Sequence, residues 1–475
     1  MKAINIRTLS GDEIQLEQSD VDVLQANMRG TVLAPGDPGY DESRTIWNGM
    51  IDRRPAMIAR CIGVADVMAC VDFVRERRLE LCIKGGGHNI AGLAVREGAM
   101  MIDMSLMRGV WVDKENRIAH AQAGCTLGDV DRDTQLHGLA AVLGFVSNTG
   151  ITGLTLGGGF GYLTRRYGWT SDTVRSFQLI TADGRLRRVS EKADPDLFWG
   201  LRGGGGNFGV VTGIEYDLYP AGPEIMGGAI AWRAEDAAQV LELFRQVNEE
   251  APPELVCVAA IRPAPPAPWL PKEIHGKLIV ALFVCDTGPI EETKKRVAAI
   301  KAFGSPVGDI VQPRPYITQQ KLLDATQPDG RRYYWKSEYL PGVEDGLLAQ
   351  FIKHGERIES PHSAMLLFPL HGALSNLPED HSAVGNRRTG MVFNLAASWE
   401  NPDDDDANIA WARDAWSEMR QFSTGGTYIN FLNEEEGDDR IHDAYGKNYD
   451  RLVKIKTKYD PDNLFRANKN IVPAD

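Results

Sequence analysis

Lys84-Gly85-Gly86-Gly87-His88-Asn89-Ile90-Ala91-Gly92 decides how this chain is read. Three consecutive glycines let the main chain turn through conformations closed to other residues. They also bring its N–H groups close to an anionic ligand, as a bound diphosphate requires. A histidine at the tip of such a loop sits beside whatever the diphosphate carries, where its imidazole can act as a nucleophile or ligand. Taken alone, the loop also fits a tight turn with a solvent-exposed histidine. Its flanks weigh against that, because Leu79-Glu80-Leu81-Cys82-Ile83 enters as a short apolar strand and Ala99-Met100-Met101-Ile102-Asp103-Met104 leaves as another.

Two further glycine clusters follow. One runs Thr149-Gly150-Ile151-Thr152-Gly153-Leu154-Thr155-Leu156-Gly157-Gly158-Gly159-Phe160-Gly161; the other is Gly203-Gly204-Gly205-Gly206-Asn207-Phe208-Gly209, after Phe198-Trp199. Three segments of close backbone approach point to a bound nucleotide cofactor. A nicotinamide-linked dehydrogenase is the competing enzyme class. Against it, the second cluster is not G-x-G-x-x-G at the first strand of a βαβ unit, and no acidic residue is placed to hold a ribose some twenty residues later.

Together with Tyr40-Asp41, Trp47-Asn48-Gly49 and the closing Tyr459-Asp460-Pro461-Asp462-Asn463-Leu464-Phe465-Arg466, these motifs resemble the berberine-bridge-enzyme-like branch of the vanillyl-alcohol-oxidase flavoproteins. The likeness runs nearly the length of the chain and is weakest over residues 220–385. It implies an α+β fold in which a PCMH-type, two-subdomain FAD-binding lobe spans residues 1–218 and 435–475. Residues 219–434 are then an inserted substrate lobe, an antiparallel sheet with helices on one face.

The resemblance makes FAD the cofactor and His88 its covalent attachment point, through the 8α-methyl of the ring. It assigns further cofactor contacts to Lys84, Gly85, Gly86, Gly87, Asn89 and Gly92, and to Thr149, Gly150, Thr152, Gly153, Gly158, Gly159 and Gly161. Asn207, Gly209 and Val211 follow from the third cluster, and Asn468 and Asn470 from the tail. Many relatives attach the flavin a second time through a cysteine; Val146 stands at that position, so a single bond is expected. Cys125, the nearest cysteine, reads as a buried small apolar residue.

Length and charge agree with this class. At 475 residues the chain is too long for one ordinary core, and two or three lobes are expected. A net charge of −13 without a basic stripe argues against nucleic acid or anionic membrane as partners. The six cysteines show neither a C-x-x-C pair nor metal-like spacing, and no metal is expected. Met1-Lys2-Ala3-Ile4-Asn5-Ile6-Arg7 lacks an apolar leader core and no uncharged stretch is long enough to span a bilayer, so a cytoplasmic location is expected. Periodicity predicts helices over residues 13–28, 64–77, 127–137, 234–248, 291–302 and 409–422. Strands are predicted over 225–232, 255–261, 277–284, 364–369 and 390–399. Asp403-Asp404-Asp405-Asp406 reads as a solvated helix entry.

For catalysis the resemblance implies a group projecting from the substrate lobe. A glutamate used by relatives aligns onto Asn394, and their Tyr-x-Asn-Tyr phrase is here Tyr428-Ile429-Asn430-Phe431. A further tyrosine position is Phe160. Tyr428 is therefore expected to take the substrate proton and Asn394 to orient the substrate. Thr149 falls where a small residue admits oxygen to the flavin. The expected function is an FAD-dependent oxidase that takes hydride from an alcohol, amine or secondary-metabolite carbon of a small molecule. O2 is the expected acceptor, and H2O2 the product. A flavin dehydrogenase with another electron acceptor and a non-catalytic flavin-binding protein remain open alternatives. Arg165 and Arg166 read as a structural or solvent-facing pair, and His137 and His362 are given no chemistry.

Overall fold

The computed structural model describes residues 3–474. A four-stranded sheet has the order Thr31–Leu33, Met57–Arg60, Met100–Asp103, Leu81–Lys84, and the last two neighbour pairs are parallel. The helix Val64–Arg77 follows the second of these strands. It buries Val67, Val71 and Val74, spaced four and three apart on one face, and ends at Arg78 in a left-handed conformation. The glycine loop leaves the C-terminal end of the Leu81–Lys84 strand, the end at which parallel sheets hold ligands.

Beside it lies a five-stranded antiparallel sheet in the order Leu186–Ser190, Val174–Ile180, Val210–Asp217, Ile118–Gln122, Val110–Asp113. The late helices Asp438–Tyr445 and Tyr449–Tyr459 return to this sheet. Ile441, Leu452 and Ile455 join a core with Phe177, Phe198 and Phe208. Buried Lys456 ties the tail down, its Nζ donating to the carbonyls of Asn207 and Phe465 (both 2.9 Å) and to Asp460 (2.6 Å).

Residues 224–399 supply an eight-stranded antiparallel sheet. Its central order is Glu224–Arg233, Leu278–Asp286, Leu255–Pro263, Ala364–Pro369, Met391–Trp399, Arg332–Leu340. Side chains alternate across it. Leu255, Cys257, Ala259 and Ile261 pack under the helices Ala237–Glu250, Ile290–Lys301, Asp345–Gly355 and Asp405–Met419. Val256, Val258 and Ala260 face the other way, toward Phe160, Trp169 and Tyr428. The face of this sheet opposite those four helices therefore meets the glycine-rich half of the chain.

Two expectations need correction. The segment expected as a helix over 13–28 opens instead as the strand Glu13–Leu16, paired with Ile4–Arg7, and the helix begins at Gln18. Ile14 and Leu16 alternate with Glu13 and Gln15, a period of two rather than 3.6. The strand Arg332–Leu340 was not expected, because Lys336 and Glu338 break its apolar pattern. Both are buried and paired: Lys336 with Glu435 (2.8 Å), Glu338 with Arg440 (2.6 Å). Of the acidic run, Asp405 is also more than solvated, accepting bonds from Arg332 and from Trp399 Nε1. No helix among the described residues is long and apolar enough to cross a membrane.

Candidate active site

The first and second glycine clusters cross at Gly86 and Gly150. A Cβ on Gly86 would stand 2.5 Å from both the nitrogen and the Cα of Gly150, so only glycine permits the approach. Gly87 then turns with φ +67° and delivers His88. The imidazole stacks on Trp47 (centroids 4.3 Å, 15°), and Trp47 in turn stacks on Tyr333 (3.7 Å, 14°). Asn48 locks this arrangement by donating to the carbonyls of Ile90 (2.9 Å) and Tyr333 (3.0 Å). His88 is half-buried, and its Nε2, shielded from solvent, has no hydrogen-bond partner. Burial pushes its pKa down to about 4, so the ring is neutral at physiological pH and keeps a lone pair for bonding.

A single cavity extends from this loop to the eight-stranded sheet. Of the expected cofactor contacts, Gly85, Gly86, Gly87, His88 and Asn89 line it, with Thr149, Gly150, Thr152, Gly153, Gly209, Val211 and Asn468. Val146 lines it too. Asn394 and Tyr428 lie on the same cavity.

The other expected contacts are off its wall and shape the loops. Lys84 donates its ammonium to the carbonyls of Ser43 (2.6 Å) and Thr45 (2.9 Å), and Gly92 packs on Ile51. Gly158 and Gly159 hold the 170–171 turn by backbone bonds, and Gly161 sits against the Leu143 carbonyl. Asn207 ties the third cluster to the tail, donating to Gly204 and Lys469 carbonyls and accepting from the Ile471 N–H (2.9 Å). Asn470 is likewise not on the wall.

Tyr428 is held from several sides. Its oxygen accepts from the Gly159 N–H (2.9 Å) and from Asn430 Nδ2 (2.8 Å), and its ring is boxed by Phe160, Phe431 and Trp169. Burial raises the phenol pKa and outweighs the two donors, which act in the opposite sense. A proton acceptor at neutral pH needs the reverse, whereas a neutral phenol still has its hydroxyl hydrogen to give. Asn430, not singled out in the sequence, positions Tyr428 and also donates to the Leu154 carbonyl (3.2 Å). Asn394 is buried, with Oδ1 lacking a partner.

The sequence reading passed over Arg262, took Trp335 as core filling and gave His362 no chemistry, yet all three are on the cavity wall. The available signal was a lone arginine in the apolar strand Leu255–Pro263, two residues from Ala260 and so on its face. Arg165 is buried and spends its guanidinium on the carbonyls of Leu255 and Ala251, while Arg166 lies 3.8 Å from Glu254. Neither is on the cavity wall, and His137 is exposed.

These residues fit FAD. Gly153 has nothing within 4 Å of an added Cβ and Gly206 only the Asn468 amide at 4.0 Å, which leaves room on the cavity wall for a close-lying diphosphate, and lining residues carry buried polar atoms without partners, among them His88 Nε2 and Asn468 Oδ1. Comparison with known proteins agrees. Residues 55–190 match an FAD binding domain and residues 427–472 a berberine and berberine-like domain. The (R)-6-hydroxynicotine oxidase of Paenarthrobacter nicotinovorans is 28% identical, over 94% of this chain and 97% of its own. An FAD-linked oxidoreductase of Dictyostelium discoideum is also 28% identical, over 94% and 95%. The crystal structure of 6-hydroxy-D-nicotine oxidase from Arthrobacter nicotinovorans superposes with a TM-score of 0.84 at 27% identity, covering 94% of this chain and 98% of that one. Both domain matches and the shared PCMH-type fold make this an FAD-linked enzyme, similar to the berberine-bridge-enzyme-like FAD-linked oxidoreductases.

Proposed function

We propose that the protein is an oxidase that takes hydride from a carbon bearing oxygen or nitrogen in a small-molecule substrate, with O2 as the acceptor and H2O2 as the product. The observation that carries this reading is the one cavity joining His88 and its glycine loop to Asn394 and Tyr428. Residues 1–218 and 435–475 then hold FAD, and residues 219–434 supply the substrate wall. Bound FAD supplies the hydride acceptor and, on reoxidation by O2, the route to peroxide.

The chain's own residues divide the remaining work. His88, neutral and stacked on Trp47, forms the single covalent bond to the flavin; Val146 on the same wall has no nucleophile for a second. Lys84, Gly92, Gly158, Gly159, Gly161, Asn207 and Asn470 support the cradle from behind. Tyr428 donates a hydrogen bond to the substrate's oxygen or nitrogen and Asn394 orients the same group, while the proton that a substrate hydroxyl loses as hydride leaves the carbon passes to solvent water. Thr149 is small enough to leave the flavin open to O2, which favours an oxidase over a dehydrogenase using another acceptor.

The test is direct. Acid-precipitated protein should stay yellow, with the flavin mapping to a peptide containing His88. Anaerobic addition of a panel of alcohols, sugars, phenols and cyclic amines should bleach the flavin with at least one of them, and air should restore the colour with release of peroxide. A colourless pellet would refute the covalent bond. Bleaching that air does not reverse would refute the oxidase. His88→Ala should give a folded protein that still binds some FAD, released entirely on acid treatment, with flavin reduction slowed about tenfold. An unchanged reduction rate would count against the link's contribution to turnover.

A further inference from the structure

The cavity-facing side of the sheet carries a charge that no carboxylate among the described residues neutralises. Along Leu255–Pro263, Ala260 and Arg262 point to the cavity, and on the next two strands Ala364, Leu366, Asn394 and Ala396 do the same. The strand registers set Ala364 opposite Ala396 and Ala396 opposite Trp335. Extending the Ala260–Leu366 and Ile261–Met365 pairing by one residue puts Arg262 beside Ala364. One row thus reads Arg262, Ala364, Ala396, Trp335. Two methyl side chains between a guanidinium and an indole leave an open slot with a cation at one end and an aromatic ring at the other.

Arg262 is only 8% exposed. Its Nε donates to the Pro263 carbonyl (3.2 Å), and among the described residues no carboxylate lies within 4 Å of its guanidinium. The nearby acid, Glu400, is used elsewhere, 3.7 Å from Arg331 and 3.1 Å from His362 Nε2. Arg331 adds a like charge, and burial lowers the pKa of His362, whose ring supplies no counter-charge. Burial and Arg331 likewise pull the Arg262 pKa down to about 10, which still leaves the group cationic at neutral pH. A buried guanidinium without an anion is costly to keep, and its planar fork matches a carboxylate two bonds at a time.

We propose that Arg262 is the anchor for a carboxylate on the substrate, so that the enzyme acts on hydroxy or amino compounds that also carry a carboxylate. The apolar part of the substrate lies over Ala364 and Ala396 toward Trp335. The inference deepens the oxidase reading and rests on it for the words "substrate" and "acts on". Its binding test does not.

Purified holoprotein is titrated by calorimetry, and in parallel by flavin difference spectra, with benzoate, phenylacetate, cinnamate and indole-3-acetate and with the four corresponding primary amides. At least one acid should bind ten or more times tighter than its amide. That preference should fall below about twofold in Arg262→Gln and be partly kept in Arg262→Lys, as expected for a charge-assisted bond. If no acid binds more tightly than its amide in the parent protein, the anchor is overturned, whatever the variants do. An undiminished preference in Arg262→Gln would overturn it as well. Flavin content, read separately after denaturation, reports on the flavin reading. A yellow protein without acid preference fails only the anchor, and calorimetry still judges the anchor in a protein without colour.

Discussion

Protein carrying Gly86→Ala is expected to leave purification nearly colourless, with its flavin content at least tenfold below the parent's. The added methyl would sit 2.5 Å from the nitrogen and Cα of Gly150, and both colliding partners are backbone, so no side chain can rotate away. Relief requires the two loops to separate, and both line the cavity. Overpacking of this kind costs about 1–3 kcal/mol, and more where backbones must move. The same displacement breaks the alignment of N–H groups toward an anion. The ratio of flavin to protein absorbance, with far-ultraviolet circular dichroism as a check on folding, measures the outcome. Gly342→Ala, whose added carbon meets nothing within 4 Å, is the control that should stay yellow. Parent-like flavin content in Gly86→Ala would mean that the crossing is not needed for cofactor retention.

Tyr428→Phe should slow anaerobic flavin reduction by roughly 10²- to 10³-fold, the usual loss when a positioned hydrogen-bond donor is removed from an active site. Reoxidation by O2 should change little, because the hydroxyl acts on substrate. The ring survives, so its packing against Phe160, Phe431 and Trp169 survives too. Stability should still fall by about 1–3 kcal/mol, since the Gly159 N–H and Asn430 amide lose a buried acceptor. Stopped-flow reduction and denaturant unfolding read the two effects separately. A variant that loses stability but reduces at the parent rate would leave Tyr428 a purely structural role. A neutral phenol also predicts that the parent's reduction rate shows no inflection from Tyr428 between pH 6 and 9. Burial holds the group protonated through that window, and only ionisation at higher pH would remove the donor.

The glycine loops that line the cavity could be read from the sequence because they are written in local chemistry. A run such as Gly85-Gly86-Gly87 admits few structural purposes, and its backbone geometry follows from the absence of side chains. The same is true of strands written as near-continuous apolar runs: Ala364–Pro369 is found where the sequence predicts it, and Met391–Trp399 begins one residue late. Periodicity fails where a buried charge is compensated from far away. Lys336 and Glu338 look like loop residues until Glu435 and Arg440, about a hundred positions on, arrive to pair with them.

By itself the sequence determined the class: three glycine clusters, His88 at the tip of the first, and a chain long enough for further lobes. Only the tertiary structure decided which residues meet. It set Gly86 against Gly150, put Trp47 flat on His88, and turned Lys84 away to the carbonyls of Ser43 and Thr45. It brought the Gly159 N–H to Tyr428 across 269 positions of chain, where burial raises the phenol pKa. It also left Arg262 in the cavity wall with no carboxylate paired to it among the described residues. A charge's meaning depends on what surrounds it in space, and along this chain those surroundings come from strands that only the sheet makes neighbours.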